Sequence, residues 1–234
     1  MNRRELFTSL AATAAVSALN LELRAQAPAP APGGWPIKPL PFDPKKLKGL
    51  SEKLIVSHHD NNYAGAARRI GQIQQMLAGL PANAPGFQIK GLKMEELIAT
   101  NSAILHEEYF GNLGGDGKAS GSLPQAIASD FGTFDKWEQD FRATSTALGG
   151  GSGWAILNFN LRDGKLHNYI AFDHTGNVAL GRPILVNDMF EHAYHMDFGS
   201  NAAAYIDAIM QNLNWDEANR RFEEARKMFS SLRA

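Results

Sequence analysis

The stretch from Ser51 to Leu77 constrains the fold more than any other part of the sequence. Its apolar and small residues recur every three or four positions, which is the spacing of one face of an α-helix, and Ser51 is a favourable N-cap residue. The inward face of this predicted helix comprises Leu54, His58, Asn62, Ala66, Ile70, Ile73 and Leu77. A second helix is predicted from Met94 to Phe110, after a break rich in proline and glycine at 81–86. The first half of the chain is therefore expected to form a helical hairpin.

The second half of the chain changes from helical to strand-like composition. Strands are predicted at Trp154–Asn160, at Leu166–Phe172 after a turn at 162–165, and at Ile184–Val186; helices are predicted near Pro124 and over 131–141, 202–213 and 215–228. Glycine-rich residues 111–121 separate a predicted hairpin domain (37–117) from a predicted α/β domain (118–234). The fold class is therefore α+β, an N-terminal helical hairpin followed by an α/β domain with a three-stranded antiparallel sheet.

The first 36 residues are expected to lie outside the folded part. Arg3 and Arg4 open a basic stretch, residues 10–19 are mildly apolar, and Ala25-Gln26-Ala27 offers a cleavage site. This pattern predicts that residues 1–27 are a twin-arginine-like export signal, with an ordinary secretory signal as the alternative. The apolar part is too short to serve as a membrane anchor. Residues 28–36 are rich in Ala and Pro and predict an extended tether. Because residues 1–27 predict export, the protein is expected in the periplasm or outside the cell.

Composition limits the chemistry that such a fold can carry. The chain has no cysteine, so thiolate metal sites and cysteine nucleophiles are excluded and any metal must take nitrogen and oxygen ligands. The formal net charge of -1 provides no broad positive field, so nucleic acid is not expected as a ligand. The seven histidines remain the residues of chemical interest.

Four polar residues stand where they could bind one metal ion. Asp188 and His192 are four residues apart and can converge if the segment between them turns helically, although this spacing alone is a weak signal. His58 and His106 occupy positions on helix faces where a purely structural helix would place Leu or Ile. Because a buried imidazole needs a polar partner, we hypothesise that these four side chains form one site.

Six further motifs are distributed over the chain: Leu40-Pro41-Phe42, Ser51 to His58, Asn101 to Phe110, Gly151-Ser152-Gly153-Trp154-Ala155, D-M-F-E-H-A-Y at 188–194 and Asn214 to Ala218. Together they resemble the iron/manganese superoxide dismutases, and the resemblance extends from Leu40 to the end of the chain. The resemblance implies one Fe or Mn ion per chain, held by His58, His106, Asp188 and His192. It also implies a reaction that converts superoxide into dioxygen and hydrogen peroxide, and it does not distinguish Fe from Mn.

The resemblance also implies a homodimer, with a tetramer left open. Glu191 of one protomer would contact His192 of the other, and His195 would face Asn62 across the same interface. Aromatic residues are expected to surround the metal, namely Trp154, Tyr109, Phe110, Phe190 and Tyr194.

The first helix departs from the family pattern at two positions. The family places a His four residues and a Tyr eight residues after its first ligand, and these positions are Asn62 and Ala66 here. Tyr63 is the candidate to place a hydroxyl at the same access path, although on an α-helix it lies about 140° from His58. We therefore predict a catalytic role for Tyr63.

A third departure concerns the residue that contacts solvent at the metal, which is usually Gln in this family. Of the two sites that supply it, one is Ser102 and the other is predicted to be His174, which we expect to be catalytic.

The sequence leaves alternatives open. His59 could replace His58 as first ligand, and a rival alignment puts Ile55 at that site and abolishes the metal. The alternative function is a dismutase-like metal-binding or structural protein without redox turnover, which the missing family His and Tyr would allow. A hydrolase that uses a divalent ion at the same ligands is a weaker alternative.

Overall fold

The computed structural model describes residues 34–176 and 179–233. The predicted export signal at 1–27 and the tether up to residue 33 lie outside these residues. The helices are α1 (Glu52–Ser57), α2 (Ala64–Ala78), α3 (Gly86–Gly111), α4 (Leu123–Phe131), α5 (Phe134–Thr146), α6 (His195–Phe198), α7 (Ala202–Gln211) and α8 (Trp215–Ser231). The strands are β1 (Trp154–Asn160), β2 (Lys165–Ala171) and β3 (Gly181–Asp188). Within the described residues, no helix has both the length and the apolar character needed to cross a membrane.

The predicted fold class is confirmed. Helices α2 and α3 form an N-terminal hairpin, and the three strands form one antiparallel sheet in the order β2-β1-β3. The hairpin turn at 162–165 lies where the sequence predicts it, because β1 ends at Asn160 and β2 begins at Lys165. The division of the chain at 117/118 stays a prediction.

The first predicted helix contains a π-helical turn at His58–Tyr63, between α1 and α2. Ser51 caps α1 as predicted, since its Oγ accepts a hydrogen bond from the Leu54 amide at 3.1 Å. A π-turn bonds each residue to the one five positions later, so the inward stripe steps from His58 to Tyr63 and then to Ala67. The expected stripe positions Asn62 and Ala66 are therefore wrong as core positions, and both residues are only half-buried.

Helix α3 is longer than the sequence predicts, because it begins at Gly86 and not at Met94. Most side chains between 86 and 97 are exposed, so this part of the helix lacks the apolar periodicity on which the prediction depended. Pro85 occupies the N-cap with an extended backbone, which is compatible with a helix start at the next residue.

The two halves of the molecule are joined by a buried arginine on α8. Arg221 is only 2% exposed and donates to the backbone carbonyls of Glu108 at 3.0 Å and Ile184 at 3.3 Å. Its guanidinium also pairs with the carboxylates of Glu108 and Glu217, each at 2.8 Å. Helix α3, strand β3 and helix α8 therefore share one cation, and a Cβ at Gly111 would collide with it. This joint fixes α3 relative to the sheet.

We expect Arg221→Met to lower the free energy of unfolding by about 3–5 kcal/mol, because it removes the donor to two backbone carbonyls and the buried cation that Glu108 and Glu217 share. Arg220→Met is the matched control: the Arg220 side chain is 53% exposed and pairs on the surface with Glu217, so its removal should cost about 1 kcal/mol or less. Urea denaturation of both metal-free variants measures the difference. Equal losses would show that Arg221 is not the joint.

Candidate metal centre

The four predicted ligands come from four separate elements and meet in one place. His58 is the first residue of the π-turn and His106 lies in the second half of α3. Asp188 ends β3, and His192 lies in a short 3-10 turn over Glu191–Ala193. The end of strand β3 and this tight turn bring the side chains of Asp188 and His192 together, so their convergence does not require an α-helical turn between them.

The geometry places three imidazole nitrogens around one carboxylate oxygen. The Nε2 atoms of His58, His192 and His106 lie 3.0, 3.3 and 3.6 Å from Oδ2 of Asp188. One ligand atom from each of the four residues lies within 4.8 Å of every other. Four donor atoms at this spacing could all bind one metal ion placed between them.

Hydrogen bonds outside the cluster orient two of these ligands. Nδ1 of His106 donates to the carbonyl of Ser102 at 2.6 Å, which leaves the lone pair on Nε2 facing the cluster. Nε2 of His106 is buried and has no hydrogen-bond partner among the described residues. Oδ1 of Asp188 accepts from the Phe190 amide at 2.8 Å, so Oδ2 is the oxygen presented to the imidazoles.

Burial keeps the imidazoles of His58 and His106 neutral, and hydrogen bonds keep the Asp188 carboxylate charged. Desolvation lowers the pKa of His58, and desolvation together with the nearby His58 ring lowers the pKa of His106 to about 3. Burial alone would raise the pKa of Asp188, but hydrogen bonds from His192 and His58 outweigh it and hold that pKa well below its usual range. Neutral imidazole and ionised carboxylate are the protonation states that bind a metal.

The donor set fits a single iron or manganese ion. Imidazole nitrogen and carboxylate oxygen are ligands that suit Fe, and Mn accepts carboxylate oxygen as well. The neutral rings of His58 and His106 do not compensate the negative charge of the buried Asp188 carboxylate, and the unpartnered Nε2 of His106 lies 3.6 Å from its Oδ2. A cation at this point satisfies both groups.

Neither alternative for the first ligand agrees with the structure. Both ring nitrogens of His59 are engaged elsewhere, since Nδ1 lies 2.7 Å from Oδ1 of Asp60 and Nε2 lies 2.8 Å from the carbonyl of Lys38. Ile55 is a fully buried apolar residue of α1. His58 is the residue whose ring reaches Asp188.

The hydroxyl of Tyr63 bonds to residues outside the ligand cluster, and its catalytic role stays a prediction. The π-turn brings the side chain inward, where it is 1% exposed. Its hydroxyl donates to Oε1 of Glu107 at 3.0 Å and accepts from the Lys38 amide at 2.9 Å. Lys38, Tyr63 and Glu107 line a cavity that none of the four ligand residues lines. Desolvation by burial raises the pKa of Tyr63 to about 12. This hydroxyl therefore connects α3 with the segment around Lys38 and does not contact the ligand cluster.

His174 lies beside the cluster. Its ring centroid is 6.3 Å from that of His106 and 4.8 Å from that of Phe190, with which it stacks. The indole of Trp154 donates to Nδ1 of His174 at 3.0 Å, and the amide of Asn101 donates to its carbonyl at 2.6 Å. Because an indole only donates, the neutral ring carries its proton on Nε2, and burial lowers the pKa of His174. Its catalytic role stays a prediction.

Most of the expected aromatic residues surround the cluster. Ring centroids of Tyr109 and Phe110 both lie 5.1 Å from His58, that of Trp154 lies 5.1 Å from His106, and that of Phe190 lies 5.4 Å from His192. Tyr194 is buried one layer further out, stacked on Tyr205 at 5.3 Å.

The residues expected at a dimer interface lie at the surface of this single chain. Glu191 and His195 are exposed, Asn62 is half-buried, and the His192 side chain is 29% exposed. Their contacts across an interface stay predictions.

Sequence reasoning missed Tyr205, a fully buried residue of α7. Its hydroxyl lies 2.7 Å from the carbonyl of Asp188 and 3.2 Å from the hydroxyl of Tyr109. A carbonyl only accepts, so Tyr205 donates to Asp188 and accepts from Tyr109. This chain of hydrogen bonds supports the ligand from behind. A Tyr on an apolar helix face resembles any core residue in sequence, so no signal distinguishes it.

Without its metal, the protein should lose stability as the pH falls below about 6.5. The unfolded chain binds protons at histidine there, whereas the folded His106 does not until its lowered pKa is reached, so acid favours unfolding. From about pH 8 to about pH 5, His106 alone should cost about 2 kcal/mol. Urea denaturation at the two pH values measures this loss. His106→Gln should reduce the pH dependence by up to one proton, and an unchanged slope would contradict the assignment.

Comparisons with known proteins agree with this geometry. A family model described as the C-terminal domain of iron/manganese superoxide dismutases matches residues 119–221. An iron superoxide dismutase of Cupriavidus metallidurans is 54% identical over 190 residues, covering 81% of this chain and 96% of that protein. An iron superoxide dismutase of Aquifex aeolicus is 34% identical over 205 residues, covering 81% and 92%.

A manganese superoxide dismutase of Halobacterium salinarum is 30% identical over 198 residues, covering 82% of this chain and 97% of that protein. Relatives of both metal types therefore match most of the described chain. Sequence, fold and the four converging side chains lead to one conclusion: the chain belongs to the iron/manganese superoxide dismutase family.

Proposed function

We propose that the chain is a superoxide dismutase that uses one iron or manganese ion per chain. The observation that carries the proposal is the convergence of three imidazoles on Oδ2 of Asp188. Two superoxide anions and two protons give one dioxygen and one hydrogen peroxide in this reaction. When bound, iron or manganese supplies the redox couple that accepts an electron from one superoxide and returns it to the next.

The protein itself orients the ligands, excludes water and holds a proton nearby. Tyr205 and the Phe190 amide fix Asp188 from two sides. The rings of Tyr109, Phe110 and Trp154 keep the interior of the site dry. We infer that His174, whose Nδ1 accepts from the Trp154 indole and whose Nε2 therefore carries the ring proton, donates a hydrogen bond or a proton during the reaction.

His58→Ala should lose both metal and superoxide turnover, because it removes one of four ligands from a buried site. His59→Ala is the matched control: the neighbouring ring binds Asp60 and the Lys38 carbonyl and not the cluster, so metal content should stay near that of the wild type. Elemental analysis and a superoxide assay on the same samples measure both properties. Loss of metal only in His59→Ala would overturn the first-ligand assignment, and bound iron or manganese without turnover in the wild type would favour the structural alternative.

We also propose that the active protein is a homodimer. Glu191 and His195 are exposed next to His192, whose imidazole is partly accessible. A carboxylate from Glu191 of one protomer would fix the ring of His192 in the other through its remaining nitrogen. His195 of one protomer would lie opposite Asn62 of the other.

Glu191→Ala should raise the dissociation constant of the dimer at least tenfold, because it removes the carboxylate that would contact His192 of the other protomer. Sedimentation equilibrium across a dilution series measures the dissociation constant. Asp216→Ala, which removes one exposed acid from the first turn of α8, is the control. A wild-type protein that sediments as a monomer would contradict the dimer.

We further propose that the protein acts after export, on the basis of Arg3, Arg4 and the apolar stretch that follows. Fractionation of cells that make the full chain, compared with cells that make residues 28–234, tests this. Equal distribution of the two forms would contradict it.

A further inference from the structure

Residues 35–38, here called the N-terminal strap, lie against the two elements that carry His58 and His106. The strap contacts the π-turn and the second half of α3. On α3, the contact is made by the carboxylate of Glu107, whose side chain is only 14% exposed. Glu107 directly follows the ligand His106 in the chain. The strap is therefore bound next to a ligand and not at a remote point of the helix.

Glu107 binds both ends of the strap. Its Oε1 accepts from the indole of Trp35 at 2.6 Å, and its Oε2 pairs with the ammonium group of Lys38. The same Oε1 accepts from the hydroxyl of Tyr63 at 3.0 Å, and this hydroxyl in turn accepts from the Lys38 amide at 2.9 Å. An ionised carboxylate makes stronger hydrogen bonds than a neutral acceptor. One side chain of α3 therefore holds both the strap and the last residue of the π-turn.

The strap also binds the π-turn at the residue that directly follows His58. Nε2 of His59 lies 2.8 Å from the carbonyl of Lys38, and because a carbonyl only accepts, this nitrogen donates. The His59 ring is buried, with its centroid 5.5 Å from that of Phe110 on α3. The residues that follow the two helical ligands, His59 and Glu107, are thus bound to the same strap residue.

We propose that Glu107 is a positioning residue for the metal centre. Because Glu107 and His59 are tied to one strap, the π-turn and α3 cannot separate without breaking buried hydrogen bonds. The strap would thereby keep His58 and His106, whose ring centroids lie 5.0 Å apart, at the spacing that a shared ion requires. The inference rests on the proposed metal centre and is independent of turnover.

A positioning role has a reciprocal consequence. If the closed strap favours metal binding by some factor, metal binding must favour the closed strap by the same factor. Loss of a group that orients metal ligands typically lowers metal affinity about 10- to 100-fold. Glu107 acts through the backbone of its neighbour and not on a ligand ring, so we expect about tenfold, the low end of this range.

The first measurement is the rate at which the full chain, loaded with manganese, releases the metal to excess chelator under conditions where every variant is folded. Release is more sensitive than metal content, which stays full over a wide range of affinities. Glu107→Ala should speed release about tenfold. Glu107→Gln keeps an acceptor for Trp35 and Tyr63 but loses the ion pair with Lys38, so its rate should lie between that of Glu107→Ala and that of the wild type. Adding Trp35→Phe to Glu107→Ala should change nothing further.

Two control variants separate positioning from general stability. Glu96→Ala removes another carboxylate of α3, whose ion pair among the described residues is with Lys93 of the same helix. Phe222→Leu lowers the free energy of unfolding in the core between α8 and the sheet, where the Phe222 ring lies 5.8 Å from that of Phe159. Both variants should release manganese at the wild-type rate.

The second measurement is amide hydrogen exchange of residues 34–42, followed by mass spectrometry with and without manganese. Exchange in the wild type should slow about tenfold when manganese binds, because the Lys38 amide is bound to Tyr63 in the closed strap. The slowing should disappear in Glu107→Ala and persist in Glu96→Ala. A Glu107 that served only to dock the strap would leave exchange independent of the metal.

Wild-type release from Glu107→Ala, equal acceleration in Phe222→Leu, or strap exchange that manganese does not change would each overturn the inference. A wild-type protein that binds manganese and has no turnover would overturn only the proposed function, and both measurements would still decide the role of Glu107. A wild-type protein that binds neither manganese nor iron would overturn both.

Discussion

The structure depends on one buried carboxylate surrounded by three imidazoles. Asp188 is 0% exposed, and its Oδ2 has the Nε2 atoms of His58, His106 and His192 within 3.6 Å. Burial lowers the pKa of His58 and His106, so these rings do not compensate the negative charge of Asp188. A buried charge is costly unless it is paired. A cation at the centre of the four side chains is therefore the simplest way to stabilise them together.

That centre requires the two halves of the chain to be held at fixed positions, because each half supplies two ligands. Arg221 joins α3 and β3 directly, and the amide of Val186 in β3 donates to Oδ1 of Asn112, the C-cap residue of α3, at 2.9 Å. Tyr205 adds a third link by holding the carbonyl of Asp188. These contacts are all buried, so small shifts of either half would leave polar groups unpaired, and the ligand geometry is fixed by the same bonds that stabilise the fold.

Periodicity predicted the hairpin, the sheet and the four converging side chains, because each depends on local spacing or on polar residues in apolar positions. It did not predict the π-turn at His58–Tyr63. In the sequence, a five-residue spacing between inward-facing positions cannot be distinguished from a three- or four-residue spacing here, because Ala66 and Ala67 are both small and either could face the core. Arg221 was missed for a related reason: on an amphipathic helix rich in charges, a buried arginine looks like a surface residue until its partners on other elements are known.

The π-turn also determines which side chains of the first helix lie near the ligand cluster. It turns Tyr63 inward, where the hydroxyl donates to Glu107 and burial raises the pKa of Tyr63 to about 12. This phenol is therefore a poor proton donor to the ligand cluster. A cavity next to His106 is lined instead by Ala66, Ser102 and His174. Of these, His174 has a ring proton directed by the bond from Trp154. In the proposed function, His174 is therefore the side chain near the ligand cluster from which a proton would be donated, and Tyr63 is not.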